Sequence, residues 1–137
     1  MKKRIKTKIL VINDEETLAR AVQSILREIG HKWVYTATTG DSGLRELRED
    51  HQIKLVLLDN MLPDMNGREF VDRWIEQGGY KGTAFVVMAS FVTDDDKVFF
   101  ESIVRQHPGL EYGGLVEVPF LPVHLFTAVE RALRRIE

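Results

Sequence analysis

Residues 54–67 read KLVLLDNMLPDMNG, and this stretch decides the fold. Its unbroken apolar run, Leu55–Leu58, is typical of a strand that is buried on both faces of a sheet. The residues Pro63–Gly67 are typical of a turn, and a helical stripe follows them, made of Phe70, Val71, Trp74 and Ile75. The stretch therefore predicts a strand, a turn and a helix, with Asp59 at the tip of the strand.

The same alternation continues on both sides of this unit. Apolar runs predict four further strands, at residues 8–12, 33–37, 84–89 and 115–118. Stripes at helical spacing follow each of them, and Asp94 is predicted to cap the fourth helix. Because the strands are continuous apolar runs, we predict an α/β fold in which helices cover both faces of a parallel sheet.

Composition limits the classes of function. The chain has 137 residues, 44% of them hydrophobic, with 19 Lys and Arg against 21 Asp and Glu, for a net charge of -2. These values predict one domain at residues 8–137 after a basic N-terminal tail at residues 1–7. The absence of cysteine excludes thiolate catalysis and Cys-ligated zinc. No apolar run approaches the ~18 residues of a membrane span, so we expect a cytoplasmic location.

Polar residues follow the ends of neighbouring strands. Ligand sites in open parallel sheets lie beyond the carboxyl ends of the strands, where the sequence places Asp14 and Asp59. Clustered carboxylates repel unless a cation joins them, and Mg²⁺ prefers such ligands. The alternative is that acidic residues complement helix dipoles, which explains Glu15 better than Asp59.

A carboxylate near Mg²⁺ can attack phosphorus. The Ser90 hydroxyl, at the end of the fourth predicted strand, could then bond the phosphoryl oxygens. The alternative is that Ser90 is a helix cap or a loop residue, which is more common for a Ser at a strand end.

Three segments together resemble one known family. Residues 55–67 closely resemble the phospho-acceptor segment of receiver domains from two-component response regulators. Residues 9–15, ILVINDE, resemble the acidic-pair segment of that family, and residues 118–120, VPF, resemble its Lys-Pro-Phe segment. The resemblance spans residues 8–136. It implies a flavodoxin-like (βα)5 three-layer sandwich with a five-stranded parallel sheet of order 2-1-3-4-5, and a cis peptide bond before Pro119.

The resemblance also implies roles for individual residues. Asp59 would accept a phosphoryl group from a histidine kinase or phosphotransfer protein in a two-component phosphorelay, forming an aspartyl phosphate. Asp14, Asp59 and the backbone carbonyl of Met61 would bind Mg²⁺, with Asn13 as a weak further ligand. Ser90 would be the switch hydroxyl that moves toward the phosphoryl group. The chain would not be an enzyme beyond Mg²⁺-dependent self-phosphorylation and dephosphorylation at Asp59.

Implied partners follow from the same resemblance. The kinase or phosphotransfer protein lies upstream, and an output partner would dock on the face formed by the fourth helix, the fifth strand and the fifth helix. A homodimer on that face is left open. Neither direct nucleic-acid binding nor membrane binding is implied. One of Phe99 and Phe100 is expected on this face, because adjacent residues cannot share one helical stripe. The four histidines are expected to be surface or loop residues.

Three positions depart from the family pattern and predict a degenerate site. Asn13 stands in place of an acid, Val118 in place of the Lys that contacts phosphate, and Leu115 in place of an aromatic switch residue. The charges lost at Asn13 and Val118 have opposite sign, so we expect Mg²⁺ binding to survive in weakened form. We also expect weaker or rerouted coupling between a phosphoryl group on Asp59 and the rest of the domain. The alternative is a phosphorylation-independent pseudo-receiver that acts as a protein-interaction module. A phosphohydrolase is disfavoured, because Met61 stands where that class has its second carboxylate.

Overall fold

A computed structural model describes residues 7–137, in which five strands alternate with five helices. Residues 1–6 of the predicted basic tail lie outside the described residues. In chain order the elements are β1 (Lys8–Ile12), α1 (Glu16–Glu28), β2 (Val34–Ala37), α2 (Gly40–Glu49), β3 (Ile53–Asp59), α3 (Gly67–Gln77), β4 (Thr83–Ala89), α4 (Asp94–Gln106), β5 (Leu110–Glu117) and α5 (Pro122–Ile136).

The sheet has the predicted topology. Its strands are all parallel and lie in the order β2-β1-β3-β4-β5, which confirms the three-layer sandwich. One apolar core lies between the sheet and α1 and α5, and a second lies between the sheet and α2, α3 and α4. Every residue of β4 is buried, because both of its faces are covered and both of its edges are paired. In residues 7–137 no helix has the length and apolar character needed to cross a bilayer.

An aromatic cluster fixes α3 and α4 on the sheet. Phe85 of β4 lies 6.3 Å from the ring of Trp74 and 5.8 Å from that of Phe100, both in edge-on geometry. Such pairs add about 0.5–1.5 kcal/mol each beyond the area that they bury. Phe100 is fully buried here, whereas its neighbour Phe99 packs under the Arg68 guanidinium of α3. Phe99 therefore faces α3 rather than the face of α4, β5 and α5.

The fifth strand begins earlier than its apolar run predicts. It starts at Leu110 instead of Leu115 and includes Gly113 and Gly114, which have low strand propensity and mask the pattern. The structure needs the first of these glycines, because a Cβ at Gly113 would lie 2.6 Å from the Cβ of Ala132 in α5. Close packing of α5 against β5, which is tertiary information, thus explains the missed residues.

One local expectation, on the cap of α4, also needs correction. Thr93, not Asp94, caps α4, because the Thr93 hydroxyl accepts a hydrogen bond of 3.0 Å from the Asp96 N–H and the two residues form a capping box. His31 is only 4% exposed but lies in the loop between α1 and β2, so it agrees with the expectation that the histidines are surface or loop residues. Its backbone N–H donates to the Leu26 carbonyl at 3.0 Å, which folds the loop back against the end of α1.

The loop after β3 is held by a cap on α2. Both carboxylate oxygens of Asp64 accept hydrogen bonds of 2.9 Å, one from the Gly40 N–H and one from the Asp41 N–H. Although partial burial favours the protonated acid, these backbone donors lower the pKa of Asp64 below its ordinary value. The cap therefore stabilises the fold above the ordinary Asp pKa, and the contribution is lost as pH falls through the lowered value.

We predict that Asp64→Ala lowers the free energy of unfolding at pH 7 by about 1 kcal/mol, the usual cost of a lost helix cap. Urea denaturation measures the change, with Asp72→Ala, an exposed carboxylate on α3, as the control. The difference between Asp64→Ala and the native chain should shrink as pH falls below about 4. Equal losses in the two variants would show that the cap contributes nothing.

Candidate functional site

The carboxyl ends of three adjacent strands form one crevice. Asp59 is the last residue of β3, Ser90 directly follows β4, and Asp14 lies two residues beyond β1. Because β1, β3 and β4 are neighbours in the sheet and run parallel, their ends meet at the same edge. The structure therefore brings together the three principal polar residues that the sequence predicts.

Asp59 lies at the boundary between the core and this crevice. It is half-buried, and its Oδ1 accepts a hydrogen bond of 3.1 Å from the Met61 N–H. Burial raises the pKa of Asp59 above its ordinary value, and the Met61 hydrogen bond only partly opposes this. The Asp14 carboxyl, which is close enough to share a hydrogen bond with Asp59, and the charge of Glu15 raise the pKa further. The site thus concentrates negative charge at the tip of β3.

Asn13 has a structural role in the same crevice. It is 2% exposed, and its Oδ1 accepts a hydrogen bond of 2.8 Å from the Glu15 N–H at the start of α1. A carbonyl oxygen has a second lone pair, so this hydrogen bond leaves one acceptor position on the atom. The role of Asn13 as a weak metal ligand stays a prediction.

Val118, the residue directly after β5, contributes no charge to the crevice. The Val118 N–H donates to the Ala89 carbonyl at 2.9 Å, and the Val118 side chain packs against the core on the α1 and α5 side. The peptide bond between Val118 and Pro119 is cis, as predicted. Leu115 is partly buried against the opposite core. Leu115 in β5 and Val118 directly after it, which both depart from the family pattern, are thus apolar packing residues.

The donors at this edge fit a Mg²⁺ ion. In residues 7–137 there is no cluster of three or more His, Cys, Asp or Glu side chains that could hold a metal by themselves. Mg²⁺ keeps several waters and is commonly held by only one or two carboxylates, which Asp14 and Asp59 supply. Met61, whose backbone carbonyl is the further predicted ligand, lies in a loop held by a short antiparallel bridge to Asn66.

An exposed apolar rim surrounds the crevice. It consists of Met61, Phe91 and Leu121, which are 69%, 74% and 61% exposed. Each follows the end of a different strand, so the three residues lie at the same edge of the sheet as Asp59. Exposed apolar side chains that form one contiguous patch are typical of a surface that another protein covers. Sequence patterns do not reveal this rim, because single apolar residues in loops follow no helical or strand periodicity.

Comparisons with known proteins agree with this architecture. The sequence profile of the family described as "Response regulator receiver domain" matches residues 9–105. The DNA-binding response regulator MtrA of Mycolicibacterium smegmatis is 35% identical over 140 residues, which cover 97% of this chain and 53% of the relative. The transcriptional regulatory protein KdpE of Mycobacterium tuberculosis is 41% identical over 95 residues, covering 67% of this chain and 38% of the relative. The chain spans about half the length of the first of these relatives.

Solved structures with the same fold are more distant in sequence. A CheY-like receiver domain protein from Methanospirillum hungatei has a TM-score of 0.80 at 21% identity and covers 96% of both chains. The chemotaxis protein CheY4 of Vibrio cholerae has a TM-score of 0.79 at 24% identity, covering 93% of this chain and 99% of that chain. At these identities the likeness concerns the fold alone.

We predict that Asp59→Asn stabilises the protein at pH 7 without divalent cations, by a few tenths to about 1 kcal/mol. A raised Asp pKa weakens the folded state once pH exceeds the ordinary Asp value, and the full penalty is reached above the raised value. The gain should therefore be small at pH 4 and larger at pH 7 in urea denaturation. Asp72→Asn, an exposed carboxylate on α3, should show no comparable gain. A pH-independent effect of Asp59→Asn would contradict the raised pKa of Asp59.

Proposed function

Because this chain belongs to the response regulator receiver domain family of two-component signalling, we propose that Asp59 is its phospho-acceptor. The observation that carries the proposal is the position of Asp59 at the tip of β3, half-buried beside Asp14 and Met61. A carboxylate oxygen of Asp59 would attack the phosphorus of a phosphohistidine. The new P–O bond forms as the P–N bond breaks, and the imidazole nitrogen leaves with the electron pair and takes up a proton.

We propose that Asp14, Asp59 and the carbonyl of Met61 hold Mg²⁺ during this reaction. When bound, the ion would neutralise the carboxylates and the incoming phosphoryl oxygens. Ser90, exposed at the end of β4, would donate a hydrogen bond to a phosphoryl oxygen. Mg²⁺-dependent self-phosphorylation with a small donor and the slow hydrolysis of the product would follow from the same arrangement.

The charge balance supports a degenerate but functional site. Asn13 contributes no negative charge and Val118 no positive charge, so these two departures from the family pattern cancel in the sum of charges around Asp59. A site with one further acid and one lysine would have the same sum. Mg²⁺ binding would therefore persist in weakened form, while the direct contact from phosphate to the end of β5 is lost.

Partners of two kinds fit the surface. We propose that the phosphoryl donor, a histidine kinase or phosphotransfer protein, covers the apolar rim of Met61, Phe91 and Leu121 around Asp59. A groove of about 470 Å³ opens between α4, β5 and α5, and its lining residues include Glu101, Arg105, Tyr112, Arg131 and Arg135. An output partner or a second copy of the chain would dock on this groove. Residues 8–137 would form the receiver unit, after a basic tail at residues 1–7.

One observation favours the alternative of a phosphorylation-independent interaction module. Val118 and Leu115 place apolar side chains where a receiver normally carries its phosphate contact and its switch residue. A chain that binds partners through its rim or groove without phosphorylation would tolerate both residues. Phosphorylation of the chain by a small phosphoryl donor separates the two functions.

We predict that acetyl phosphate with Mg²⁺ adds one phosphoryl group to the native chain, and that Asp59→Asn abolishes this addition. Intact-protein mass spectrometry at neutral pH measures it, and omission of Mg²⁺ should also prevent it. Asp64→Asn, which changes a carboxylate of the same loop outside the crevice, should still be modified. If the native chain is not modified and beryllofluoride with Mg²⁺ causes no amide shifts at Met61 and Ser90, the interaction module is the correct function.

We predict that Asn13→Asp strengthens Mg²⁺ binding by about tenfold, whereas Val118→Lys weakens it by a similar factor. The double variant should return close to the native affinity, because the added charges cancel. Titration of Mg²⁺ followed by backbone amide shifts in NMR measures the three affinities. Unchanged affinity in both single variants would show that these two positions do not set the charge of the site.

A further inference from the structure

The loop after Asp59 is fixed to α3 and β4 through Asn60. This residue is 5% exposed; its backbone N–H donates to the Met88 carbonyl at 3.1 Å, and its carbonyl accepts from the Gly67 N–H at 2.9 Å. Gly67 is the first residue of α3, and a Cβ there would lie 2.6 Å from the Asn60 Oδ1 and 3.2 Å from the Phe100 ring. Since no space remains at this contact, a displacement of the loop must displace the start of α3.

The next residue of α3, Arg68, contacts the first turn of α4. Its Nη1 lies 3.6 Å from Oδ1 of Asp96, and its guanidinium lies 4.8 Å from the centroid of the Phe99 ring. The Asp96 side chain is only 17% exposed, so this ion pair is less screened by solvent than a fully exposed one. Arg68 therefore holds two successive turns of α4, one through charge and one through cation–π stacking.

Asp96 in turn belongs to the cap of α4. Its carboxylate accepts from the Thr93 N–H at 3.3 Å, and its own N–H donates to the Thr93 hydroxyl at 3.0 Å. Partial burial opposes its ionisation, but the hydrogen bonds from Thr93 and from the Asn60 side chain, with the charge of Arg68, lower the pKa of Asp96. Asp96 is thus a carboxylate at neutral pH, contacted from both the acceptor loop and α3.

The opposite side of the crevice offers no comparable connection. Val118 and Leu115 of the β5 region have no side-chain group that could bond a phosphoryl oxygen. The loop from Ser90 to Thr93 leads instead from the crevice directly to the cap of α4. A phosphoryl group that attracted Ser90 would thus pull on the same turn of α4 that Arg68 holds.

We propose that Arg68, through its contacts with Asp96 and Phe99, is the positioning residue that transmits a change at Asp59 to the first turns of α4. Asn60 and Gly67 connect it to the acceptor loop. The inference rests on the proposed function, because it needs Asp59 to change state. It assigns the transmission of the signal in this chain to the contact between α3 and α4, because the side chains of Leu115 and Val118 cannot bond the phosphoryl group.

The test compares amide chemical shifts of the full chain before and after addition of beryllofluoride and Mg²⁺. In the native chain we expect shifts at Met61 and Ser90, beside the acceptor, and at Lys97 and Val98 in α4. Arg68→Gln should keep the first pair of shifts and reduce the second pair to less than a third. Arg68→Lys, which keeps the charge but not the planar stacking, should give an intermediate response in α4.

Matched variants separate the link from general charge effects. Arg45→Gln, which removes an exposed arginine 3.8 Å from Asp41 on α2, should leave all four shifts unchanged. Asp96→Asn should reduce the α4 response as Arg68→Gln does, and Asp95→Asn, on the neighbouring exposed position, should not. Asp96→Asn also provides the test if Arg68→Gln fails to fold.

The outcomes distinguish this inference from the proposed function. Shifts at Met61 and Ser90 with an undiminished α4 response in Arg68→Gln or Asp96→Asn would overturn the link and leave Asp59 as the acceptor. The same holds if the native chain shows shifts beside the acceptor and none in α4. A native chain without any response would overturn the proposed function, and the link with it.

Discussion

Burial of β3 on both faces is the constraint on which the rest of the structure depends. Leu55–Leu58 are fully buried between the two apolar cores, and both backbone edges of the strand are paired, with β1 and with β4. The strand can neither slide nor turn without exposing these side chains, at about 1.5–3 kcal/mol for each one. Asp59 is therefore held at the point where the core ends and the crevice begins. Its half-burial, which raises its pKa, follows directly from this position.

The electrostatics of the crevice follow from what surrounds Asp59. Within residues 7–137, the charged side chains that perturb it are the carboxylates of Asp14 and Glu15, while Val118 supplies packing alone. If Asp59 accepts a phosphoryl group as proposed, the site would require a cation, because the incoming oxygens are also negative. After phosphorylation of Asp59, the apolar Val118 side chain would form no bond with the phosphoryl group and so could not convey the change. Arg68 contacts both Asp96 and Phe99, and this contact between α3 and α4 is the connection proposed to convey the change.

Sequence patterns predicted the fold better than its local details. Continuous apolar runs identified all five strands, and the family resemblance supplied their order and the cis bond before Pro119. The start of β5 was missed, because Gly113 and Gly114 interrupt the run for the sake of α5 packing. Propensity also pointed to Asp94 as a cap, although Thr93 holds that position. The packing of α5 decided the start of β5. The geometry of the turn decided that Thr93 caps α4, since Thr and Asp are both suitable residue types for a helix cap.

The sequence by itself determined that this is a receiver-type α/β domain with Asp59 at a strand tip. A buried strand and the polar residues at its end are consecutive in the chain, so a local pattern is enough to identify them. Only the tertiary structure decided how Asp59 is surrounded. The approach of Asp14 to Asp59, the cap of α2 by Asp64 and the contact between Arg68 and Asp96 each join residues that are distant along the chain. Local propensity contains no information about such pairs, because their distances are set only when the helices pack on the two faces of the sheet.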